Sequence, residues 1–375
     1  MAMLDRAIRY LVVLGCAAIV PRTLLGHRPA EEDVAFAQGV AHDVTSGVSA
    51  ASFHTGSARF DGEWAFGTFL MATLGLGQVV LSHPEERARL LPAMRQSAAR
   101  LTQNQTNAFG TQAWGNVGLD TLADGHGHGY LGYANLALSM LRLLDPDMQE
   151  AQLSDELTEA LAQRLAQAPH ALFETYPGEA YPPDMSMVAG SIALHDCALG
   201  LPERPFMPAW RRAFSRYVDP GSGFLYQAAD AATGAPLGPP RGSATAVAAY
   251  SLAFVERSLS EQLYAGLRRQ AVNVLGFGMM REYPSDYAGA GDIDSGPVLF
   301  GVGVSATGFA LASARLHPDD ALFTRLYRTV ELFGVPLGDS ASRHFMSGGP
   351  LGNALLLAMT TATPEWSRHC KRPAS

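Results

Sequence analysis

YPPDMSMVAGSIALHDCAL (181–199) decides the fold. A tyrosine, two prolines and an acid lead into a helix-length run of small apolar residues. Prolines suit the first helical positions, where their missing N–H has no partner to lose. The run behind them is apolar all round, as expected of a buried helix. Five other stretches share the design. DGEW (61–64), GHGHGY (125–130), PRGSAT (240–245), GDIDSG (291–296) and SGGPLG (347–352) lead into AFGTFLMATLGLGQVVL, LGYANLALSML, AVAAYSLAFVE, PVLFGVGVSATGFALASA and NALLLAM. The entries recur every fifty to sixty-five residues, measured through Glu63, His128, Asp184, Ser243, Asp294 and Gly348. A period of that length is one helical hairpin plus loops, and neighbouring hairpins stack to bury each other's apolar faces.

Between the apolar runs lie amphipathic ones: 84–102, 148–167, 205–217, 257–275 and 319–333, charged on one face and Leu/Ala-rich on the other. Alternation of the two kinds predicts an all-α (α/α)6 toroid spanning 30–375 as a single domain. Its six polar entries share one mouth, served by long irregular segments at 103–127, 170–184, 219–242 and 281–297. Long loops at one end of a scaffold are commonly functional. Strand signals are few; Phe224-Leu225-Tyr226-Gln227 before a Thr-Gly turn predicts one short hairpin. The glycines of GFGMM (276–280) and GVGV (301–304) sit in apolar stretches and are expected to be packing positions.

Hydrophobic residues make up 47% of the chain, ample for a large core, and the formal charge is −8 from 27 basic and 35 acidic residues. The basic residues form no stripe, which argues against nucleic acid as a partner. Cys16, Cys197 and Cys370 lack metal or redox spacing, and Cys197 and Cys370 are expected to be ordinary thiols. Residues 1–29 contain an apolar run, Tyr10–Val20, behind Arg6 and Arg9. It has the length of a signal-peptide core and falls short of a comfortable membrane span. Export, membrane association through this segment, and a helix packed on the ring in a cytoplasmic protein all stay open.

The candidate site follows from the entries. Asp184, Asp292, Asp294 and Glu63 are the acid–base candidates. A carboxyl in an apolar cavity gives up its proton near neutral pH, and a second carboxylate takes one back. Trp64, His128, Tyr133, Tyr176, Glu179, Tyr181, Arg241 and Tyr283 are the substrate-positioning candidates. Asp61, Asp292 and Ser243 also suit helix capping, and Arg241 suits either a substrate carboxylate or a ring acid. His126 and His128 form only a weak metal pattern, so no metal and no cofactor are expected.

The segments GYLGYANLALSMLRLLDPD, YPPDMSMVAGSIALHD, AWRRAFSRYVDPGSGFLYQAADAATGAPLGPPRGSATAVAAYSLAFVERSLSEQLY and DIDSGPVLFGVGVSATGFALASAR together resemble the linalool dehydratase/isomerase family over residues 60–335. The resemblance implies an (α/α)6 barrel, a ring-shaped oligomer and a site near a subunit boundary. It also implies a histidine in the second entry and two cysteines around the third. This chain carries Tyr133, Thr175 and Asp184 at those positions, so the thiol chemistry does not transfer. The leading expectation is a lyase, isomerase or cyclase of secondary metabolism. It would act on a small, largely apolar substrate, with Asp184 as acid or base and Asp292 and Asp294 as its partners. Two alternatives stand beside it: a glycan-active enzyme using two carboxylates, and a non-catalytic binding barrel.

Overall fold

The computed structural model describes residues 30–116, 118–293 and 295–371. The Tyr10–Val20 run, Cys16 and Asp294 lie outside the described residues. Along the chain run α1 (Ala30–Thr45), α2 (Ala58–Ser82), α3 (Arg87–Leu101), α4 (Asn104–Thr111), α5 (Leu131–Leu144), α6 (Ala151–Gln167) and α7 (Pro182–Leu199). They are followed by α8 (Met207–Phe214), α9 (Gly242–Leu252), α10 (Arg257–Gln270), α11 (Val304–Leu316), α12 (Asp320–Gly334) and α13 (Gly349–Thr360). Helices α2, α5, α7, α9, α11 and α13 each pack on the next, and α13 packs back on α2, closing a ring. Helices α1, α3, α6, α8, α10 and α12 form the outer layer, and α4 is an insertion against α2. The molecule is therefore an all-α (α/α)6 toroid.

Small residues let the inner helices touch. A Cβ on Gly75 would lie 2.9 Å from the Ala358 amide nitrogen, and one on Gly190 2.6 Å from the Ser251 carbonyl oxygen. Polar side chains inside the ring satisfy one another, because an unmet buried donor or acceptor costs roughly 1–3 kcal/mol. Gln78 Nε2 donates to the Ala358 carbonyl at 2.8 Å, and Tyr250 donates to Gln78 Oε1 at 3.3 Å, joining α13, α2 and α9. By length and composition α2 is apolar enough to cross a membrane, yet 89% of its most apolar window is buried within the protein. It serves as the seam where the ring closes.

Connections differ sharply between the two ends. Inner-to-outer turns are short, such as His83–Glu86 between α2 and α3. Every outer-to-inner connection after α1 is long, and these gather at the inner-helix N-termini. Among the described residues four antiparallel hairpins lie in them: β1 (Leu225–Ala229) with β2 (Pro236–Arg241), β3 (Ala271–Val274) with β4 (Phe277–Met280), β5 (Val298–Leu299) with β6 (Val302–Gly303), and β7 (Pro336–Gly338) with β8 (Arg343–Phe345).

The first hairpin was expected; the other three correct the reading. The outer helix expected to reach residue 275 stops at Gln270, and GFGMM is half of a hairpin. The fifth apolar run opens as a hairpin and turns helical only at Val304. Both turns carry consecutive positive φ values, 53° and 89° at Leu275-Gly276 and 53° and 80° at Phe300-Gly301. That is the conformation of a tight hairpin turn, in which the second position suits glycine. Those glycines are turn residues, not helix-packing positions.

At the opposite end Cys197, near the end of α7, is bonded to Cys370, which follows α13. This corrects the expectation of ordinary thiols. The partners are 173 residues apart, so no local spacing announces the pair.

Candidate active site

The connection into α7 builds the centre of the mouth. Pro177-Gly178 makes a tight turn in which the Glu179 amide donates to the Tyr176 carbonyl at 2.8 Å and Gly178 takes φ 79°. Proline then glycine at the two central positions fit a turn requiring positive φ at the second. The Thr175 amide donates to the Glu179 carbonyl at 2.8 Å, and Trp114 Nε1 donates to the Thr175 carbonyl at 3.1 Å. Tyr181 then caps α7, with Pro182 and Pro183 as its first residues, which places Asp184 in the first turn. A carboxylate is favoured there by the helix dipole.

Asp184 is half-buried and accepts two hydroxyl hydrogen bonds. Tyr133 on α5 donates to Oδ1 at 2.7 Å, and Thr175 donates to Oδ2 at 2.6 Å. Burial, then the Asp184 charge and hydrogen bond, push the Tyr133 phenol well above its ordinary range, so it stays protonated; Tyr176 and Glu63 add to this. Tyr176 is raised by burial and by the charges of Glu63 and Asp184, against the opposing effect of Arg59. The Arg59 guanidinium stands 4.1 Å above the Tyr176 ring. Burial disfavours its charge, but Tyr176, Glu63 and Glu179 outweigh that and raise its pKa. Tyr181 donates to Glu179 Oε2 at 2.7 Å. Glu63, Tyr133, Tyr176, Glu179, Tyr181 and Asp184 thus gather from α2, α5, the α6–α7 connection and the first turn of α7.

A second group stands at the entries to α9 and α11. Arg241 donates through Nε to Glu282 Oε1 at 2.7 Å and through Nη1 to Asp292 Oδ2 at 2.5 Å. Ser243 donates to the same Glu282 oxygen at 2.6 Å. Burial opposes the Arg241 charge, but the Asp292 bond and the Glu282 charge raise its pKa further. Glu282 is fully buried and its pKa is raised, burial outweighing Ser243 and Arg241. Asp292 is depressed to about 2: burial works upward, and the bonds from Arg241 and the Ser295 amide prevail. The Arg241 guanidinium lies 5.5 Å from the Tyr283 ring centre, and the Tyr283 hydroxyl donates to the Ala290 carbonyl at 2.9 Å. Arg241 and Tyr283 tie the mouth loops together. Asp292 is engaged in this latch through Arg241.

Other expected residues have structural duties. His128 is fully buried, 4.6 Å from the Trp114 ring, with Nε2 3.1 Å from Asp124 Oδ2. Burial lowers its pKa to about 4, so it is neutral at physiological pH. It braces Trp114, which in turn holds the Thr175 carbonyl. Trp64 packs edge-on against Phe53 at 5.9 Å. Asp61 accepts from the Thr55 amide and hydroxyl, both at 2.8 Å, and pins the loop before α2 instead of capping it. Sequence reasoning passed over Arg59 and Glu282. Arg59 stands four residues before Glu63, so both lie on one helix face, and that spacing was the available signal. Glu282 had only the need of Arg241 for a partner. Among the described residues no group of three or more His, Cys, Asp or Glu is placed to hold a metal.

No protein-family model and no curated protein matches the chain. Solved structures do. A family 105 glycoside hydrolase of C. acetobutylicum aligns with a TM-score of 0.54 at 12% identity, covering 89% of this chain and 99% of that one. An inactive variant of a family 76 α-1,6-mannanase of Salegentibacter, in complex with α-1,6-mannotriose, aligns with a TM-score of 0.53 at 14% identity, again covering 89% and 99%. These relatives correct the expected kinship with linalool dehydratase/isomerase. They also correct the lyase, isomerase or cyclase chemistry and the place in secondary metabolism drawn from it. The resemblance had already lost its histidine and thiols to Tyr133, Thr175 and Asp184. What the chain shares with the glycoside hydrolases, at this identity, is the (α/α)6 fold.

Proposed function

We propose that the chain is a glycan-active enzyme that hydrolyses glycosidic bonds, with Asp184 and Glu63 as its two carboxyls. One observation carries the reading: Asp184 and Glu63 both act on the buried phenols of Tyr133 and Tyr176. Two carboxyls from different inner helices therefore share one tyrosine-lined mouth. Glycoside hydrolysis needs that equipment. One carboxyl gives its proton to the glycosidic oxygen as the C–O bond breaks. The other takes a proton from the incoming water or attacks the anomeric carbon itself. The tyrosine hydroxyls and Arg59 supply hydrogen bonds to sugar hydroxyls. The glycoside hydrolases sharing the fold support the reading without choosing a sugar.

The test is a panel of oligosaccharides of differing sugar and linkage, scored by release of reducing ends. The expected result is turnover of at least one member, abolished in both Asp184→Asn and Glu63→Gln. Turnover surviving in both variants, or no turnover of any member, overturns the proposal.

A further inference from the structure

Three inner helices repeat one device. The amide of Leu225 on β1 donates to the Thr245 hydroxyl on α9 at 2.8 Å. The amide of Met280 on β4 donates to Thr307 on α11 at 3.0 Å, and that of Phe345 on β8 to the Asn353 side chain on α13 at 2.7 Å. These strands lie outside the inner ring, β4 against α12 and β8 against α1. A helix turns by about 200° over two residues, so the residues two positions from each bonded side chain face the other way, toward the hollow. One turn into the ring these are Val247, Phe309 and Leu355; at the rim of α13 the residue is Leu351. Phe309, Leu351 and Leu355 stay half-buried on helices that are otherwise covered on both sides.

The leucines reach the carboxyl side. Glu63 and Gly67 share one face of α2, and a Cβ on Gly67 would stand 3.1 Å from Leu351 Cδ1. A Cβ on Gly308 of α11 would stand 3.5 Å from Leu355 Cδ2. Leu351 and Leu355 therefore form a continuous apolar strip from the Glu63 face of α2 to α11. Deeper in the ring the Tyr250–Gln78 bond shuts the hollow.

The hollow has two unlike sides. Glu63, Tyr133 and Asp184 stand on α2, α5 and α7. From α9 to α13, one turn below the rim, Val247, Phe309 and Leu355 offer no donor or acceptor. A sugar hydroxyl set against them would give up water and find no partner, whereas a hydrocarbon gains by leaving water. Outside the rim Leu299 and Phe300, in the hairpin before α11, are exposed and extend the apolar side.

We propose that the substrate is a glycoside with an alkyl aglycone, its sugar on the tyrosine and carboxyl side and its hydrocarbon against Phe309, Leu351 and Leu355. The apolar strip begins against Gly67, one turn from Glu63, so the group bonded to a sugar held at the carboxyls is the group that meets it. The reaction rests on the glycan-hydrolase reading. Water adds its hydroxyl to the anomeric carbon, the anomeric C–O bond breaks, and the alkyl alcohol leaves with the glycosidic oxygen and a proton.

The test offers the full chain matched methyl and hexyl glycosides of glucose, mannose and galactose, in both anomers, and follows release of the free sugar. Hexyl chains are short enough to stay monomeric. Two methylenes covered by the strip amount to about tenfold, so for at least one sugar the hexyl glycoside should exceed the methyl glycoside in kcat/KM by at least about that factor. Leu355→Gln should bring the ratio close to one, and Leu351→Gln should do the same should the first variant fail to fold. The ratio is the readout, because a merely structural defect lowers both rates together. Binding of the same pairs to the Asp184→Asn chain, measured by calorimetry, should show the same preference, lost when Leu355→Gln is added. Equal kcat/KM for hexyl and methyl glycosides, or a hexyl preference unmoved in both leucine variants, overturns the inference and leaves the glycan-hydrolase reading standing. A hexyl preference in binding that Leu355→Gln abolishes, with no glycoside or oligosaccharide turned over, overturns that reading and upholds the apolar side as the place of the alkyl group. Neither turnover nor a binding preference overturns both.

Discussion

Asp184 and Glu282 stand at comparable places, each a carboxyl beside the entry to an inner helix, and the protein treats them oppositely. Asp184 is held by two neutral hydroxyls and stays half-exposed. Glu282 is fully buried, and its charge is met by Arg241, which is shared with Asp292. A neutral donor orients a carboxylate without itself cancelling the charge. An arginine orients it too, but cancels the charge. Within one ring, two carboxyls at helix entries thus differ in burial and in the donors seen to orient them.

The contrast can be broken most forcefully at Asp184. Asp184→Asn should lower glycan turnover by about 10² to 10⁴, the usual range for a lost acid–base group, with thermal melting nearly unchanged. A large fall in melting temperature with activity retained would make Asp184 the structural carboxyl instead. Arg241→Met should do the reverse. It strands the buried Glu282, and breaking a buried pair costs about 3–5 kcal/mol, read by chemical denaturation. If stability holds and only turnover falls, the second group belongs to the site. His128 offers a smaller and pH-dependent effect. Its folded pKa of about 4 lies below the unfolded value near 6.5, so the unfolded chain binds the extra proton. Stability should therefore rise with pH across that window, by up to about 3 kcal/mol, and His128→Phe should flatten the rise. A slope equally steep in that variant would assign it to other groups. Asp292→Asn should matter least. Its side chain is 48% exposed, and solvent-screened pairs contribute about 1 kcal/mol or less. Its folded pKa is depressed, so its contribution is present above pH 4 and lost toward pH 2. A loss in Asp292→Asn matching that of Arg241→Met would show the latch, not the buried carboxylate, to be the costly element.

The ring was legible because its signal repeats. Six apolar runs behind polar entries, spaced by amphipathic helices, leave few other arrangements, and the entry YPPD places Asp184 in a first turn with almost no tertiary help. The hairpins were not legible, because runs such as AVNVLGFGMM (271–280) are short and apolar enough for either helix or strand. Only the turn geometry at Leu275-Gly276 and Phe300-Gly301 decides. The candidate site was half-legible for a related reason. Residue type marked Asp184, Glu63 and the tyrosines, whereas the fate of Asp292 and Arg241 depended on Glu282, some forty residues from Arg241. Thr175 was noticed only as the place where a cysteine was missing.

The bond between Cys197 and Cys370 has a consequence for how the chain comes apart. It joins residues 173 apart in sequence and encloses three of the six inner helices, α9, α11 and α13, in one covalent loop. A loop of that size restricts the denatured chain by about 5 kcal/mol in chain-entropy terms, comparable to much of the net stability of an ordinary domain. Where thiols are kept reduced, the last turn would depend on the packing of Trp366 against Phe254 at 5.1 Å and on the bond from the Lys371 amide to the Cys197 carbonyl at 3.1 Å. Reductant should therefore loosen the floor of the barrel and spare the mouth.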